Sequence, residues 1–230
     1  MSATSGKQDR EPVGSGVPSG EQATPVRRER IEWCDMWVPD ATGEDLPRVL
    51  LVGDSITKGY YGAAEKALRG KAAVARMATS AFMSDPAFVM QLDCLLDAYR
   101  FDVIHFNNGL HGWSYSEKEY EAALSEVMAH IRRKEPDATL LLANSTPLRE
   151  RSDLTTLRDR NARVVERNHI VARFGAANGI PVNDLYGLVA DKPNLYSGDG
   201  THFGTDGREL QGQQVAEVVS KALAGREDGN

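Results

Sequence analysis

The feature that most constrains the fold is a regular alternation of fully apolar runs with helix-like stretches, beginning at Arg48. "RVLLVGD" (48–54) reads as a buried strand, and "SITKGYYGAAEKALRG" (55–70) follows it at once as a helix. "AAVARMA" (72–78) is a weaker strand, and "DPAFVMQLDCLLDAYR" (85–100) is a helix with Pro86 in its first turn. "FDVIHFNN" (101–108) is a strong strand. "SEKEYEAALSEVMAHIRRK" (116–134) is a helix with a Ser116 to Glu119 capping box and an apolar stripe at Leu124, Val127, Met128 and Ile131. "ATLLLAN" (138–144) is the next strand, residues 155–178 form a long helix ending at Gly179, and "IPVNDL" (180–185) gives a fifth, short strand. A last helix covers 207–225. Strands apolar on both faces and separated by helices imply a parallel sheet covered on both sides. Right-handed crossovers then bring every strand's C-terminal end to one edge, where such sheets bind their ligands.

That edge collects a chemically suggestive set of side chains. The first strand delivers Asp54-Ser55, the second Thr79-Ser80-Ala81, the third "NNGLHGW" (107–113) and the fourth "NSTPL" (144–148). Beyond the fifth comes "YSGDGTHFGTDG" (196–207). Ser55 alone has a plain explanation as part of a helix N-cap. The N–H groups of a first helical turn equally suit an oxyanion, which makes Ser55 a candidate nucleophile. Asp199 and His202, three residues apart in a glycine-flanked loop, supply the other members of a Ser-His-Asp constellation: His202 as base and Asp199 as the group that orients it. The plain alternative for this loop is an Asx turn capping the last helix. An α/β-hydrolase is excluded, because Ser55 lacks the G-x-S-x-G elbow, follows the first strand, and would share one loop between its acid and base.

Gly53-Asp54-Ser55 after the first strand, together with Asp199-Gly200-Thr201-His202 near the C-terminus, resembles the SGNH (GDSL) hydrolase superfamily over about residues 46–224. The resemblance implies a flavodoxin-like three-layer α/β/α sandwich, here with a five-stranded parallel sheet. It implies ester hydrolysis through a seryl-acyl intermediate without metal or other cofactor, with Ser55, Asp199 and His202 as the triad. Two family positions differ. A second-block glycine, whose N–H serves the oxyanion hole, is missing from "RMATSAFMSD", leaving the N–H of Ser80 or Ala81 as substitutes beside that of Ser55. The third block, usually G-x-N-D with an asparagine donor, has His111 at the asparagine position when aligned on Gly109. "FDVIHFNNGLHGW" is similar to a branch whose third block reads "DVIHFNxGL", in which the third donor is moved or replaced. His111 is the first choice for that donor, Asn108 the alternative and Asn107 a distant third. His105, His130 and His169 are expected to lie outside the chemistry, and Asp54 to brace the loop.

Aromatic residues near this rim, Tyr60, Trp113 and Tyr196 foremost, are candidates for lining a substrate site, with Tyr61 and Tyr115 close by. The expected substrate is a small acyl ester, most simply acetyl, of a carbohydrate or other small alcohol. Acyl transfer by the same triad and a ligand-binding domain that has lost its chemistry are the alternatives. A formal charge of −6 with scattered basic residues gives no nucleic-acid or membrane-binding face. Two cysteines, Cys34 and Cys94, make neither a metal-ligand spacing nor a disulfide framework, and two free thiols suit a cytoplasmic protein. Residues 1–30, rich in Gly, Ser, Pro and charge and without an apolar segment, are expected to be a disordered tail. The domain is expected over 31–225 with a short tail at 226–230. Trp33 and Trp37 suit one face of a helical turn, or two anchors for the entering chain.

Overall fold

The computed structural model describes residues 26–43 and 45–227. In chain order the elements are β1 (Cys34–Trp37), β2 (Arg48–Gly53), α1 (Ser55–Leu68), β3 (Ala73–Thr79), α2 (Pro86–Leu96), β4 (Val103–Phe106) and α3 (Glu117–Lys134). β5 (Thr139–Ala143), α4 (Asn161–Asn178), β6 (Val182–Asn183), α5 (Leu185–Val189) and α6 (Thr205–Glu227) complete the fold. The sheet has the strand order β1-β3-β2-β4-β5-β6. β3, β2, β4, β5 and β6 are all parallel, while β1 runs antiparallel along β3.

The five parallel strands match the expected number, and their order is the flavodoxin-like one, with the switch point between β2 and β4. The sixth strand was not foreseen. Residues four apart share a face in a helix, but they also share a face in a strand. For Trp33 and Trp37 the register against β3 decides, pairing Cys34 with Thr79 and Trp37 with Arg76. Asp35 then meets the Arg76 guanidinium at 2.7 Å, an opposite-charge pair within the strand pairing.

Alternate residues of β2 feed two separate cores, as a strand buried on both faces must. Leu50 and Val52 join the side chains of α2 and α3, among them Phe88, Leu92, Leu124 and Ile131. Val49 and Leu51 join Ile56, Tyr60, Ala64 and Leu68 of α1 with Val215 and Val219 of α6. The α1–α6 approach is close enough that a Cβ at Gly212 would lie 2.4 Å from the Cβ of Ala63. The expected helix at 155–178 begins only at Asn161, because the preceding residues fold back and Leu157 bridges to Arg149. Among the described residues no helix is long and apolar enough to cross a membrane.

The expected tail lies outside the described residues up to position 25. Within residues 26–30, assigned to that tail from composition, Arg27, Arg28 and Glu29 instead contact the domain. Arg27 contacts Tyr115, Ser114 and Glu119, and Arg28 pairs with Asp85 at 2.9 Å. At the other end, Arg226 belongs to α6 rather than to a tail.

Candidate active site

β2 ends at Gly53 and α1 begins at Ser55 with nothing between them but Asp54. Gly53 is required there by space: a Cβ would lie 2.0 Å from Thr57 Oγ1 and 2.5 Å from the Asn107 carbonyl oxygen. Asp54 is the N-cap, its Oδ1 accepting from the Ile56 N–H at 2.9 Å. Burial pushes its carboxyl above the usual range. Ser55 therefore opens α1, where helix geometry gives its N–H no intrahelical acceptor. It also stands beside the switch point of the sheet, where doubly wound folds hold their ligands.

The loop before α6 reaches this position. His202 Nε2 lies 2.8 Å from Ser55 Oγ, and His202 Nδ1 lies 2.6 Å from Asp199 Oδ2. A carboxylate only accepts, so Nδ1 carries the proton and Nε2 is left to accept from the Ser55 hydroxyl. Asp199 Oδ1 accepts from the Thr201 and His202 N–H groups, each at 2.9 Å, and from Ser197 Oγ at 3.0 Å. Partial burial works against its charge, but these bonds outweigh it and hold the carboxyl well below the usual carboxylate range. The Asx-turn bonds and the Asp-His pair thus coexist: one oxygen shapes the loop while the other orients the ring. Such a chain of groups can carry a proton from hydroxyl to imidazole and stabilise the resulting imidazolium.

The candidate oxyanion donors are placed less uniformly. The Ser80 N–H donates to the Trp33 carbonyl and the Ala81 N–H to Thr79 Oγ1, so neither substitute for the missing glycine is free. The residue just before β1, a strand the sequence did not announce, is what occupies the first. Asn108 is buried, and its Nδ2 bonds to the Ala81 carbonyl at 3.3 Å, tying the loops after β3 and β4 together. Asn107 bonds to Asn144 O and Ser145 Oγ, each at 3.4 Å. His111 has a different setting: Glu29 grips it, with Oε2 3.0 Å from Nδ1 and Oε1 accepting from the Gly112 N–H at 3.1 Å. Trp33 meets the ring edge-on at 6.3 Å.

Two aromatic candidates do not line the site. Tyr60 is fully buried with its hydroxyl on Thr57 Oγ1, and Tyr196 is buried against Phe203 with its hydroxyl on the Pro147 carbonyl. Their phenols serve the core because α1 and the last loop turn them inward, an orientation that spacing alone does not reveal. Tyr61 and Tyr115 are buried likewise. Trp113 stays half-buried, with the guanidiniums of Arg160, Arg163 and Arg167 at 4.5–5.6 Å from its ring. A cavity of about 20 Å³ beside Ser55 and His202 is lined also by Ile56, Phe203, Arg208 and Gln211. Gln211 is buried, and neither of its amide atoms has a partner among the described residues.

His105 lies in the core, within hydrogen-bonding distance of Asn183. His130 pairs with Asp93 at 2.7 Å, and His169 is exposed on α4. Among the described residues no three His, Cys, Asp or Glu side chains gather as a metal site requires. Sequence reasoning missed Glu29, Gln211 and Arg167. Arg167 is fully buried and donates to the carbonyls of Gly109, His111 and Gly112 at 3.0, 2.7 and 3.1 Å. Its signal was present: it falls between Val164 and Ile170 on the buried stripe of α4.

Comparison with known proteins bears on the fold and the family. No curated protein is matched by the sequence. Among solved structures, a GDSL-like lipase from Bacteroides thetaiotaomicron is 15% identical, with a TM-score of 0.62 over 76% of this chain and 88% of the other. An acetyl xylan esterase is 17% identical, with a TM-score of 0.59 over 75% and 99%. A lipase/acylhydrolase from Enterococcus faecalis is 20% identical, with a TM-score of 0.59 over 75% and 95%. At such identities the likeness establishes the fold. The family model of GDSL-like lipases and acylhydrolases matches residues 51–210, a span that runs from the strand before Ser55 to just past His202. With the fold and more than half of the sequence in agreement, the chain belongs to the GDSL-like lipase/acylhydrolase family of hydrolases.

Proposed function

We propose that the chain is a serine esterase that removes a small acyl group, most simply acetyl, from a carbohydrate or other small hydroxylated alcohol. The observation that carries this reading is the continuous hydrogen-bonded line from Asp199 through His202 to Ser55 Oγ. Ser55 Oγ bonds to the ester carbonyl carbon as its proton passes to His202 Nε2. The bond to the alcohol breaks as His202 returns that proton to the departing oxygen. Water repeats the sequence, with His202 again as base, and frees the acid and Ser55. The Ser55 N–H stabilises the oxyanion together with the His111 ring, Asn108 being the alternative second donor.

The cavity beside Ser55 and His202 supports a small, polar fit. Its volume of about 20 Å³ suits a group the size of a hydroxyl or methyl. Gln211 lacks both a donor and an acceptor there, a combination that one sugar hydroxyl supplies. The acetyl xylan esterase among the structural neighbours agrees with an acetylated sugar as substrate class. Cys34 and Cys94 are both free thiols, which supports a reducing, cytoplasmic setting.

The test is hydrolysis of p-nitrophenyl acetate and butyrate by the purified chain, beside Ser55→Ala and His202→Ala. Each substitution is expected to lower kcat by about a thousandfold or more, with acetate preferred over butyrate. Folded Ser55→Ala protein as active as wild type would refute the reading.

A further inference from the structure

We propose that Glu29, delivered from upstream of β1, is a positioning residue that commits His111 to stabilising the oxyanion as an imidazolium. The inference rests on the reading of Ser55 as an acyl-forming nucleophile.

The argument begins with the hydrogens. Glu29 Oε2 stands 3.0 Å from His111 Nδ1, and its other oxygen is fixed by the Gly112 N–H. An ionised carboxylate accepts only, so Nδ1 must carry a proton. A neutral His111 then has a bare lone pair on Nε2 and has no hydrogen to offer an oxyanion from that atom. Only the doubly protonated ring can donate from Nε2. An asparagine at this place would donate at any pH. The histidine donates only while charged, and the glutamate is what keeps it charged.

The surroundings favour that state. Burial opposes protonation of the ring, but the bond to Glu29 and the charges of Asp54, Glu29 and Glu32 outweigh it and raise the His111 pKa above its ordinary value. Burial likewise opposes the charge on Glu29, yet His111, the Gly112 N–H and Arg160 hold its carboxyl below its ordinary value. Asp54 immediately precedes Ser55, which ties the ring electrostatically to the nucleophile's own turn. From below, Arg167 donates to the His111 carbonyl at 2.7 Å, and Trp33 packs on the ring's edge. Among the described residues, the charged groups around the Glu29–His111 pair are therefore three carboxylates, Glu29, Glu32 and Asp54, and two guanidiniums, Arg160 and Arg167.

Two carboxylate–imidazole pairs thus have opposite requirements. His202 must be neutral to accept the Ser55 proton, whereas His111 must be charged to donate. Activity is confined to the pH interval in which both hold.

The experiment is the pH profile of kcat/KM for p-nitrophenyl acetate with the full chain, Ser55→Ala serving as the blank at each pH. Wild type should give a bell, with its alkaline limb set by His111. Glu29→Gln preserves the shape of the side chain, but with its amide oxygen on the Gly112 N–H its NH2 faces Nδ1, so a neutral ring carries its hydrogen on Nε2 and the alkaline limb should fade. The loss should be largest near the optimum, where a neutral donor replaces a charged one, and should shrink as the pH rises, falling on kcat rather than KM. His111→Asn should abolish the alkaline limb, and adding Glu29→Gln to it should move nothing further. A Glu29→Gln variant that keeps the wild-type alkaline limb, or an alkaline limb that survives His111→Asn, overturns the inference while Ser55 dependence stands. Activity independent of Ser55 overturns the esterase reading, and this inference with it.

Discussion

Arg167→Met tests how the loop bearing His111 is held. The guanidinium is fully buried and spans three carbonyls, those of Gly109, His111 and Gly112, at 2.7–3.1 Å. Hydrogen bonds to a charged group contribute about 1.5–3 kcal/mol each, so three amount to roughly 4.5–9 kcal/mol before any offset. Methionine recovers the cost of burying a charge, several kcal/mol by itself. Glu117, the nearest carboxylate at 3.5 Å, is not orphaned by the change, because Arg163 already pairs with it at 2.6 Å. Three carbonyls left without a donor cost about 1–3 kcal/mol each, so after that offset the net loss should be about 3–5 kcal/mol. With a urea slope of about 2.5 kcal/mol/M, the unfolding midpoint should drop by roughly 1.5 M. Trp113, 4.5 Å from the guanidinium, reports the transition by fluorescence. Arg167→Lys should fall between the two, since an ammonium cannot span all three carbonyls. A midpoint lowered by less than about 0.4 M, equivalent to about 1 kcal/mol, would refute the claim that this residue secures the loop.

Two further outcomes follow from the geometry. Gly53→Ala must push its Cβ against Thr57 Oγ1 and the Asn107 carbonyl oxygen. The expected cost is about 1–3 kcal/mol in thermal or urea unfolding. A fall in kcat of up to about a hundredfold should accompany it as Ser55 shifts; unchanged kcat would mean that the turn does not set the nucleophile. His105 is neutral in the fold, burial having pushed its imidazole down to about 4. The unfolded chain binds the extra proton first, below about pH 6.5. Its contribution is complete above that pH, declines as the pH falls towards 4, and reaches at most about 3 kcal/mol. His105→Asn should flatten that part of the stability–pH curve, and an identical slope in both proteins would contradict the assignment.

The sequence announced the parts of the site that depend on local order. Gly53-Asp54-Ser55 and Asp199 to His202 are short motifs. The rule that parallel strands share a C-terminal edge is enough to bring them together. What was not legible depends on contacts between distant segments. Tyr60 and Tyr196 are neighbours of the site in sequence but face the core, because the packing of α1 and of the last loop sets their direction. Ser80 lost its candidate role to a hydrogen bond with Trp33, forty-seven positions away. Composition placed Glu29 in a tail, and nothing in the polar run around it signals a partner at position 111. Arg167 could have been found, since a charged residue on a buried stripe always needs an explanation.

The antiparallel strand β1 has a consequence for how the chain tolerates trimming. It covers the outer side of β3 from Arg76 to Thr79 and is itself the edge of the sheet, a strand of four residues that carries the charged Asp35. The segment matched by the family model begins at residue 51, within β2, so β1 lies outside it. A chain begun between β1 and β2 would keep the whole of β2 yet present the N–H and C=O groups of β3 from Arg76 to Thr79 as an open template for strand pairing. Copies would then join edge to edge, and the trimmed protein would be lost to self-association before its chemistry could be measured.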